Sequence, residues 1–545
     1  MKVALFGTHP NQYNGYSKVV YELASELAKM PDVKLFVFGF QNMYPRDQIR
    51  PRLPDNVMVY DPMADEGSAS VSSTSTISMN RGFGTHLVKT FVALCQPDVA
   101  IVYNDMAVIS AVVRELKDVP DRRFKIVTYI DQVYLNQKRY YIEFVNAHSD
   151  AAILFTPGWE RCIVDQGVHV PTYNLPHGIN TSVYFPIPRN LARRYYGFRD
   201  EEFLILNLNR NQPRKRWDTC MKAMAELVRR RPEAPIKLIV ATAIKGAWDL
   251  LELYDRELRK RGVDIEVGRK HVVFVDSPQR MTDREVNMLL NTCDVGINTC
   301  DGEGFGLCNF EHAAVGKPQV VTRLGAFPDI FDDQCAALIQ PTVAFYLDST
   351  RDSVGGEALM CNYEDFADAL EEYYVDPKKR EIHGQRARAR IMELYRWPAI
   401  AEKLRGILLG IVREDRHAPL EKEMSVHSME DVRMFLEEER GLVDAQTNHP
   451  VTETEQQTPP NGKPKDGDIQ KGEFTFDISR SSHSSSDTTK ESPGAPPPSQ
   501  SVNPDANSNS GMVESTDPTL AALMRQMADM QRSLQDLFAS KEKTQ

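Results

Sequence analysis

No two cysteines in this chain are spaced as C-x-x-C, and no apolar run approaches the ~20 residues that a membrane-spanning helix needs. The eight cysteines are scattered between Cys95 and Cys361. Cys293, Cys300 and Cys308 lie close together, but no histidines accompany them at zinc spacing. Buried free thiols in a reducing compartment are therefore the expectation, rather than disulfides or a metal site. An excess of positive charge is also missing: the net charge is −11 over 545 residues, which argues against nucleic acid as the main partner. The opening Met1-Lys-Val-Ala-Leu-Phe-Gly7 reads as a strand and a glycine turn, too short for the apolar core of a signal peptide. These absences predict a cytoplasmic chain without a transmembrane segment and leave peripheral attachment to a membrane open.

What is present changes character along the chain. Residues 1 to about 412 mix apolar and charged residues in regular patterns; beyond about Asn448 the sequence turns to Pro, Ser, Thr, Asn, Gln and Gly. In the first part, short β-branched runs (Val3–Phe6, Lys34–Phe40, Val99–Val102, Lys125–Ile130, Ala151–Phe155) alternate with helical periodicity, as in Val19, Val20, Leu23, Leu27 and Met30. A second series follows with Phe203–Leu208, Ile236–Ala241, His271–Val275, Asp294–Asn298 and Gln319–Thr322. Such alternation predicts parallel sheets with helices on both faces and ligands outside the carboxyl ends of the strands.

The stretch Asp294 to Phe331 carries the most chemistry. A buried-type strand empties into Thr299-Cys-Asp-Gly-Glu303-Gly304-Phe305-Gly306, and a helix is expected from Leu307 to about Val315, stopped by Gly316 and Pro318. A glycine loop feeding a helix N-terminus is an anion site, through unpaired N–H groups and the positive end of the dipole. Glu303 and Glu311 bracket it. Carboxylates beside a phosphate site suit neutral hydroxyls, which they accept at several lone pairs. A ligand with phosphates between two polyhydroxyl ends is a nucleotide sugar. A strand–loop–helix unit with two solvated glutamates has the same spacing, and one glycine motif does not separate the two.

Glu303-x7-Glu311, with Gly304-Phe305-Gly306-Leu307 inside it, resembles the signature of retaining glycosyltransferases of the GT-B type, glycosyltransferase family 4 (glycosyltransferase group 1). Three further motifs extend the resemblance over roughly residues 1–412. Pro176-His177-Gly178-Ile179-Asn180 through Pro186 resembles the family's hinge, with Asn180 where Asp is usual. Arg210 and Lys215, in a basic loop after Phe203–Leu208, have the family's Arg-x4-Lys spacing. Leu324-Gly325-Ala326-Phe327-Pro328-Asp329 resembles the glycine turn near the donor sugar. Trp397 matches the start of the helix that crosses back to the first domain. Two departures stand out: Asn14 precedes Gly15 where a glycine pair is frequent, and Ile130 precedes Asp131 where the family often carries His.

The resemblance implies two Rossmann-like domains facing a cleft, residues 1–178 on the acceptor side and 179–396 on the nucleotide-sugar side, closed by a helix at 397–412. It implies Arg210 and Lys215 on the diphosphate, Glu303 at the donor sugar and Asp131 as a catalytic residue of the first domain; an Asp at a strand end also reads as a helix cap or turn former. Glu311 would hold the ribose, and the amides of Gly304 to Leu307 with Gly15 would cover the phosphates. Ser277 and Pro278 would lie at the base. Arg214 and Arg216 are expected on the surface or paired with acids, and His177 as a turn residue. No metal is expected. The donor is expected to be UDP- or GDP-linked and the acceptor a glycan, lipid or protein hydroxyl. Two alternatives stay open: a retired fold of this type that binds through its tail, and a nucleotide-sugar epimerase.

The tail divides into three. Residues 413–445 form an acidic, helix-compatible segment with eight acids against three bases between Leu420 and Ala445. Residues 446–518 have too little apolar surface to order themselves. Within 519–541, Leu520, Leu523, Met527, Met530, Leu534 and Leu537 recur at spacings of 3, 4, 3, 4 and 3, an a/d seam that predicts a short coiled coil. Self-association and folding on another partner both fit it.

Overall fold

The strand Lys2–Thr8 (β1) is buried from Val3 onward, as a central strand covered on both faces must be. It pairs in parallel with Lys34–Phe40 (β2) and Val99–Asn104 (β4). With Met58–Tyr60 (β3), Lys125–Ile130 (β5), Ala151–Leu154 (β6) and Thr172–Asn174 (β7), it forms a seven-stranded sheet ordered β3-β2-β1-β4-β5-β6-β7. The second sheet is six-stranded, ordered β10-β9-β8-β11-β12-β13. Its members are Phe203–Asn207 (β8), Ile236–Val240 (β9), Val272–Phe274 (β10), Val295–Asn298 (β11), Gln319–Thr322 (β12) and Ala336–Ile339 (β13). Both sheets are parallel, as the alternation predicts. In each the strand order reverses beside its central strand, at β1/β4 and at β8/β11, and a crevice at the carboxyl ends is the consequence.

The computed structural model describes residues 1–45, 47–66, 82–275, 281–347 and 355–414. Ser277 and Pro278 lie outside these residues, as do the linker, the heptad segment and nearly all of the acidic segment. Both sheets belong to one compact unit, Met1–Glu423. None of the described helices is long and apolar enough to cross a membrane. All eight cysteines are free thiols, six of them buried.

The chain passes between the sheets through a narrow joint. The Ile179 amide donates to the Tyr395 carbonyl at 2.7 Å, and a side chain at Gly178 would strike the Trp397 ring and backbone nitrogen at 2.7 Å. The helix Trp397–Glu414 then runs back along the first sheet's helix Gly15–Leu27, burying Ile400, Ala401, Leu404, Leu408 and Ile411. Arg405 pairs with Asp32 at 2.6 Å at its outer edge.

The antiparallel hairpin Val343–Tyr346 (β14) and Glu357–Met360 (β15) has no counterpart in the sequence reading. Its strands are four residues long and half exposed, so neither hydrophobic period is sustained long enough to register. It reaches across to the loop after β5, where Leu135 and Glu357 form a β-bridge and the Asn136 amide donates to the Glu357 carboxylate at 2.6 Å.

Candidate active site

A cleft of ≈ 450 Å³ lies between the two sheets. From the first sheet it is lined by residues after β1 (Gly15, Tyr16, Lys18), after β2 (Gln41) and after β4 and β5 (Asp105, Asp131). From the second it takes Arg210, Arg214 and Lys215 after β8, and Glu303, Phe305–Cys308 and Glu311 after β11. The predicted residues Arg210, Lys215, Glu303, Asp131, Glu311, Gly15, Phe305, Gly306 and Leu307 therefore share one cavity, and Gly304 packs against Asp131 at its wall.

Two helix N-termini meet there. Gly15–Leu27 is capped by Asn14, whose side chain accepts from the Ser17 amide at 2.9 Å, so the residue in place of a second glycine serves as an N-cap. Leu307–Ala314 starts after Gly306, which sits at φ 81, a left-handed conformation that favours glycine. A Cβ on Gly15 would lie 2.9 Å from Leu307, so the two starts are in contact. Their unpaired amides and positive dipole ends converge on the same space.

The cations beside this space are in different states. Among the described residues the Arg210 guanidinium makes no ion pair or hydrogen bond, and it is exposed to the cleft. Burial, then the neighbouring Arg214, both lower its pKa; an incoming anion relieves both. Lys215 and Arg214 instead grip Glu303: the Lys215 ammonium donates to Oε2 and the Arg214 guanidinium to Oε1 at 3.3 Å, with Asn298 Nδ2 on Oε2 at 3.1 Å. Burial alone would raise the Glu303 pKa, but the two cations outweigh it and hold the carboxyl at about 2. Arg214 thus belongs to the site, whereas Arg216 pairs with Asp218 and Asp301.

Glu311 is 3% exposed and accepts from Lys18 Nζ at 2.6 Å across the cleft. Lys18 also lies 3.4 Å from Asp283, which pairs with the buried Arg50 at 2.9 Å. Burial raises the pKa of Glu311, with Lys18 pulling against it. None of Lys18, Arg50 or Asp283 was readable as a site residue, because their partners lie far away in sequence. The one local hint is Lys18 in the first turn after Gly15.

Asp131 is not a helix cap or turn former. Its Oδ2 accepts from the Tyr16 hydroxyl, and Oδ1 is buried without a partner among the described residues. It faces Gly304, where a Cβ would stand 1.9 Å from Oδ1, so the loop glycine makes room for the carboxyl. Ile130, in place of the family's His, is a fully buried core residue. Burial is the largest influence on Asp131 and pushes its pKa up from 3.8 to about 6, against Tyr16 and Arg214. A raised carboxyl is stabilised as the acid: its cost is absent below the unfolded value near 3.8 and fully present above about 6. Asp131→Asn is expected to raise the Tm by a few degrees at pH 8 and to leave it unchanged at pH 3, as thermal unfolding at both pH values would read.

His177 is buried at the joint between the sheets. Its Nδ1 lies 3.1 Å from the Tyr129 hydroxyl and its Nε2 3.3 Å from that of Tyr103. The Tyr129 hydroxyl donates to the Leu175 carbonyl at 2.8 Å, which assigns the histidine proton to Nδ1. Burial lowers its pKa to about 3, so the ring is neutral. It packs against Phe305 at 4.6 Å between ring centroids, linking the hinge to the glycine loop. Trp159 Nε1 donates to the Gly304 carbonyl at 3.0 Å, and Asp329 accepts from the Gly158 amide at 2.9 Å. First-sheet residues therefore help to fix the loop that the second sheet supplies. Among the described residues no cluster of His, Cys, Asp and Glu could hold a metal ion.

Residues 202–375 match the family model described as glycosyl transferases group 1. The chain is 30% identical over 237 residues to a D-inositol 3-phosphate glycosyltransferase of Saccharomonospora viridis, covering 44% of this chain and 48% of the relative. It is 28% identical over 255 residues to a GDP-mannose-dependent alpha-(1-6)-phosphatidylinositol monomannoside mannosyltransferase of Mycolicibacterium smegmatis, covering 45% and 58%. The chain spans about half the length of the curated relatives it matches. Among solved structures, a sucrose-phosphate synthase of Thermosynechococcus elongatus superposes with a TM-score of 0.57 at 16% identity, over 76% of this chain and 100% of that one. Anabaena HepE in complex with UDP-glucose superposes with a TM-score of 0.54 at 14% identity, over 75% and 100%.

Proposed function

We propose that this chain, a GT-B fold whose residues 202–375 are of the group 1 glycosyltransferase type, transfers a sugar with retention from a UDP- or GDP-linked donor to an acceptor hydroxyl. The observation that carries the proposal is the meeting of two helix N-termini beside Arg210, which has no partner among the described residues, with the Glu311 carboxylate one helical turn away. The leaving group is a nucleoside diphosphate, so the main catalytic task is to stabilise charge growing on its oxygens. A preorganised guanidinium and fixed amides in a water-poor cleft suit that task. Arg210 grips the diphosphate, with the amides of residues 305–307 beside it. Lys215 and Arg214 keep Glu303 ionised, so that it orients donor hydroxyls as an acceptor of hydrogen bonds. Asp131 offers Oδ1, which has no partner among the described residues, to the same sugar. Glu311, paired with Lys18, receives the ribose hydroxyls.

The domain limits 1–178, 179–396 and 397–412 are part of this proposal, supported by the chain's two crossings at Ile179 and Trp397. The free thiols support a reducing, cytoplasmic setting. Residues 519–541 are proposed as an association segment on their heptad pattern alone.

Nucleotide binding tests the ribose assignment. In calorimetric titrations with UDP, GDP and ADP, one nucleotide is expected to bind, and Glu311→Gln is expected to weaken it ~10–100-fold. That is the cost of a buried ribose hydroxyl losing a charged acceptor. Unchanged affinity in the variant would remove Glu311 from the donor site.

A further inference from the structure

The cleft has a second wall that the donor assignment leaves unused. It is built at the carboxyl ends of β2 and β4 and faces the glycine loop across the cavity. Gln41, directly after β2, is in the left-handed region at φ 56, a strained conformation for a residue with a side chain and one that concentrates at functional sites. Its backbone is tied to Gly82 by a 2.6 Å hydrogen bond. Its side-chain amide has no partner among the described residues and lines the cleft. Asn104, at the end of β4, is 5% exposed. Its Oδ1 accepts from the Asp105 amide at 2.9 Å, and its Nδ2, on the same cavity wall, has no partner among the described residues. Phe83 adds an aromatic surface to the wall, seated on Phe40 at 5.5 Å.

Asp105 follows Asn104 on this wall, and Asp131, which also faces the donor sugar in the proposed assignment, donates its backbone amide to the Asn104 carbonyl at 2.9 Å. The described cations on this side, Lys18 and Arg50, are held by Glu311 and Asp283. Side-chain amides without a partner among the described residues suit hydroxyl groups, as carboxylates do; an aromatic face suits the C–H face of a sugar or cyclitol ring, and the carboxylates repel a phosphate.

Resting on the proposed transferase reading, we infer that this wall is the acceptor subsite and that it takes a neutral polyhydroxyl ring rather than a phosphorylated one. The acceptor ring lies on Phe83, with its hydroxyls on Gln41 and Asn104. In the transfer the bond from the anomeric carbon to the diphosphate oxygen breaks and one to the acceptor oxygen forms on the same face. The acceptor hydroxyl's proton leaves with the departing diphosphate.

The experiment uses the full chain and measures nucleoside diphosphate release from the donor it turns over, with added myo-inositol, trehalose or maltose and, separately, inositol 1-phosphate or glucose 6-phosphate. At least one neutral probe is expected to accelerate release ~10-fold or more over water, and the phosphorylated probes less. Gln41→Gly, which fits the left-handed backbone, and Phe83→Ala are each expected to raise the KM for that probe ~10-fold, the cost of a lost hydrogen bond or ring contact. Their thermal shift with the bound nucleotide reports whether the donor side is intact. The inference is overturned by preference for a phosphorylated probe, by no acceleration from any neutral probe, or by an unmoved KM in both variants. If no donor turns over and no nucleotide shifts the Tm, the transferase reading itself has failed.

Discussion

Replacing Arg210 with alanine is expected to slow donor turnover ~10²–10³-fold, the usual loss when a preorganised charge-stabilising group is removed. The fold is expected to survive, because the Arg210 side chain makes no ion pair or hydrogen bond among the described residues; its removal changes stability by no more than about 0.5 kcal/mol. The direction follows from the electrostatics of the cleft. Arg210 is partly desolvated and sits beside Arg214, and both effects disfavour its charge until an anion arrives. Binding energy is therefore realised only when a phosphate occupies the space, most of all when charge grows on it. Arg210→Lys keeps the charge but loses the two-pronged grip of the guanidinium, so it is expected to retain only part of the activity. Steady-state kinetics with the three proteins, and thermal unfolding of each, check both halves. A variant that loses activity and Tm together would make Arg210 a structural residue.

Lys215→Met is expected to act on the fold first. Glu303 is 5% exposed, and its carboxyl is held at about 2 against an ordinary value of 4.5. That depression corresponds to about 3 kcal/mol of stability, of the same order as breaking one partner from a buried ion pair. For a carboxyl lowered on folding, the stabilisation is fully present above pH 4.5 and is lost as pH falls toward 2. The variant is therefore expected to lose about 3 kcal/mol at pH 7, reduced to some extent by Arg214 at 3.3 Å from the same carboxylate. At pH 3, where Glu303 of the variant is protonated, the gap narrows to about 1 kcal/mol. Urea unfolding at both pH values reads the difference. An equal gap at the two would show that Lys215 contributes packing and no charge.

The glycine loop was legible because its signals are local. The strand Val295–Asn298, the glycines, Glu303 and the helix start at Leu307 follow one another within about a dozen residues, and each has a backbone reason to be where it is. The alternation of runs likewise gave both parallel sheets. The contacts that close the cleft were not legible. Lys18 with Glu311, Trp159 with Gly304, Gly158 with Asp329 and Leu135 with Glu357 join residues separated by more than a hundred positions. No periodicity carries such pairings. Arg214 illustrates the limit from the other side. Its charge was visible in the basic loop, but the 3₁₀ turn Pro213–Lys215 that aims it at Glu303 was not.

The departure at Ile130 also has a physical reading. The position of the usual histidine is inside the core, and the polar group that meets the cleft is its neighbour Asp131, held by Tyr16.

A cleft that turns over a nucleotide sugar must release its nucleoside diphosphate. The most direct measurement is release of nucleoside diphosphate from UDP-, GDP- and ADP-linked sugars by the full chain, with Arg210→Ala alongside. One donor is expected to be consumed slowly in water, with release abolished in the variant while its Tm is unchanged. Release that continues undiminished in the variant, or no release and no nucleotide-dependent thermal shift with any of the three, would contradict turnover in this cleft.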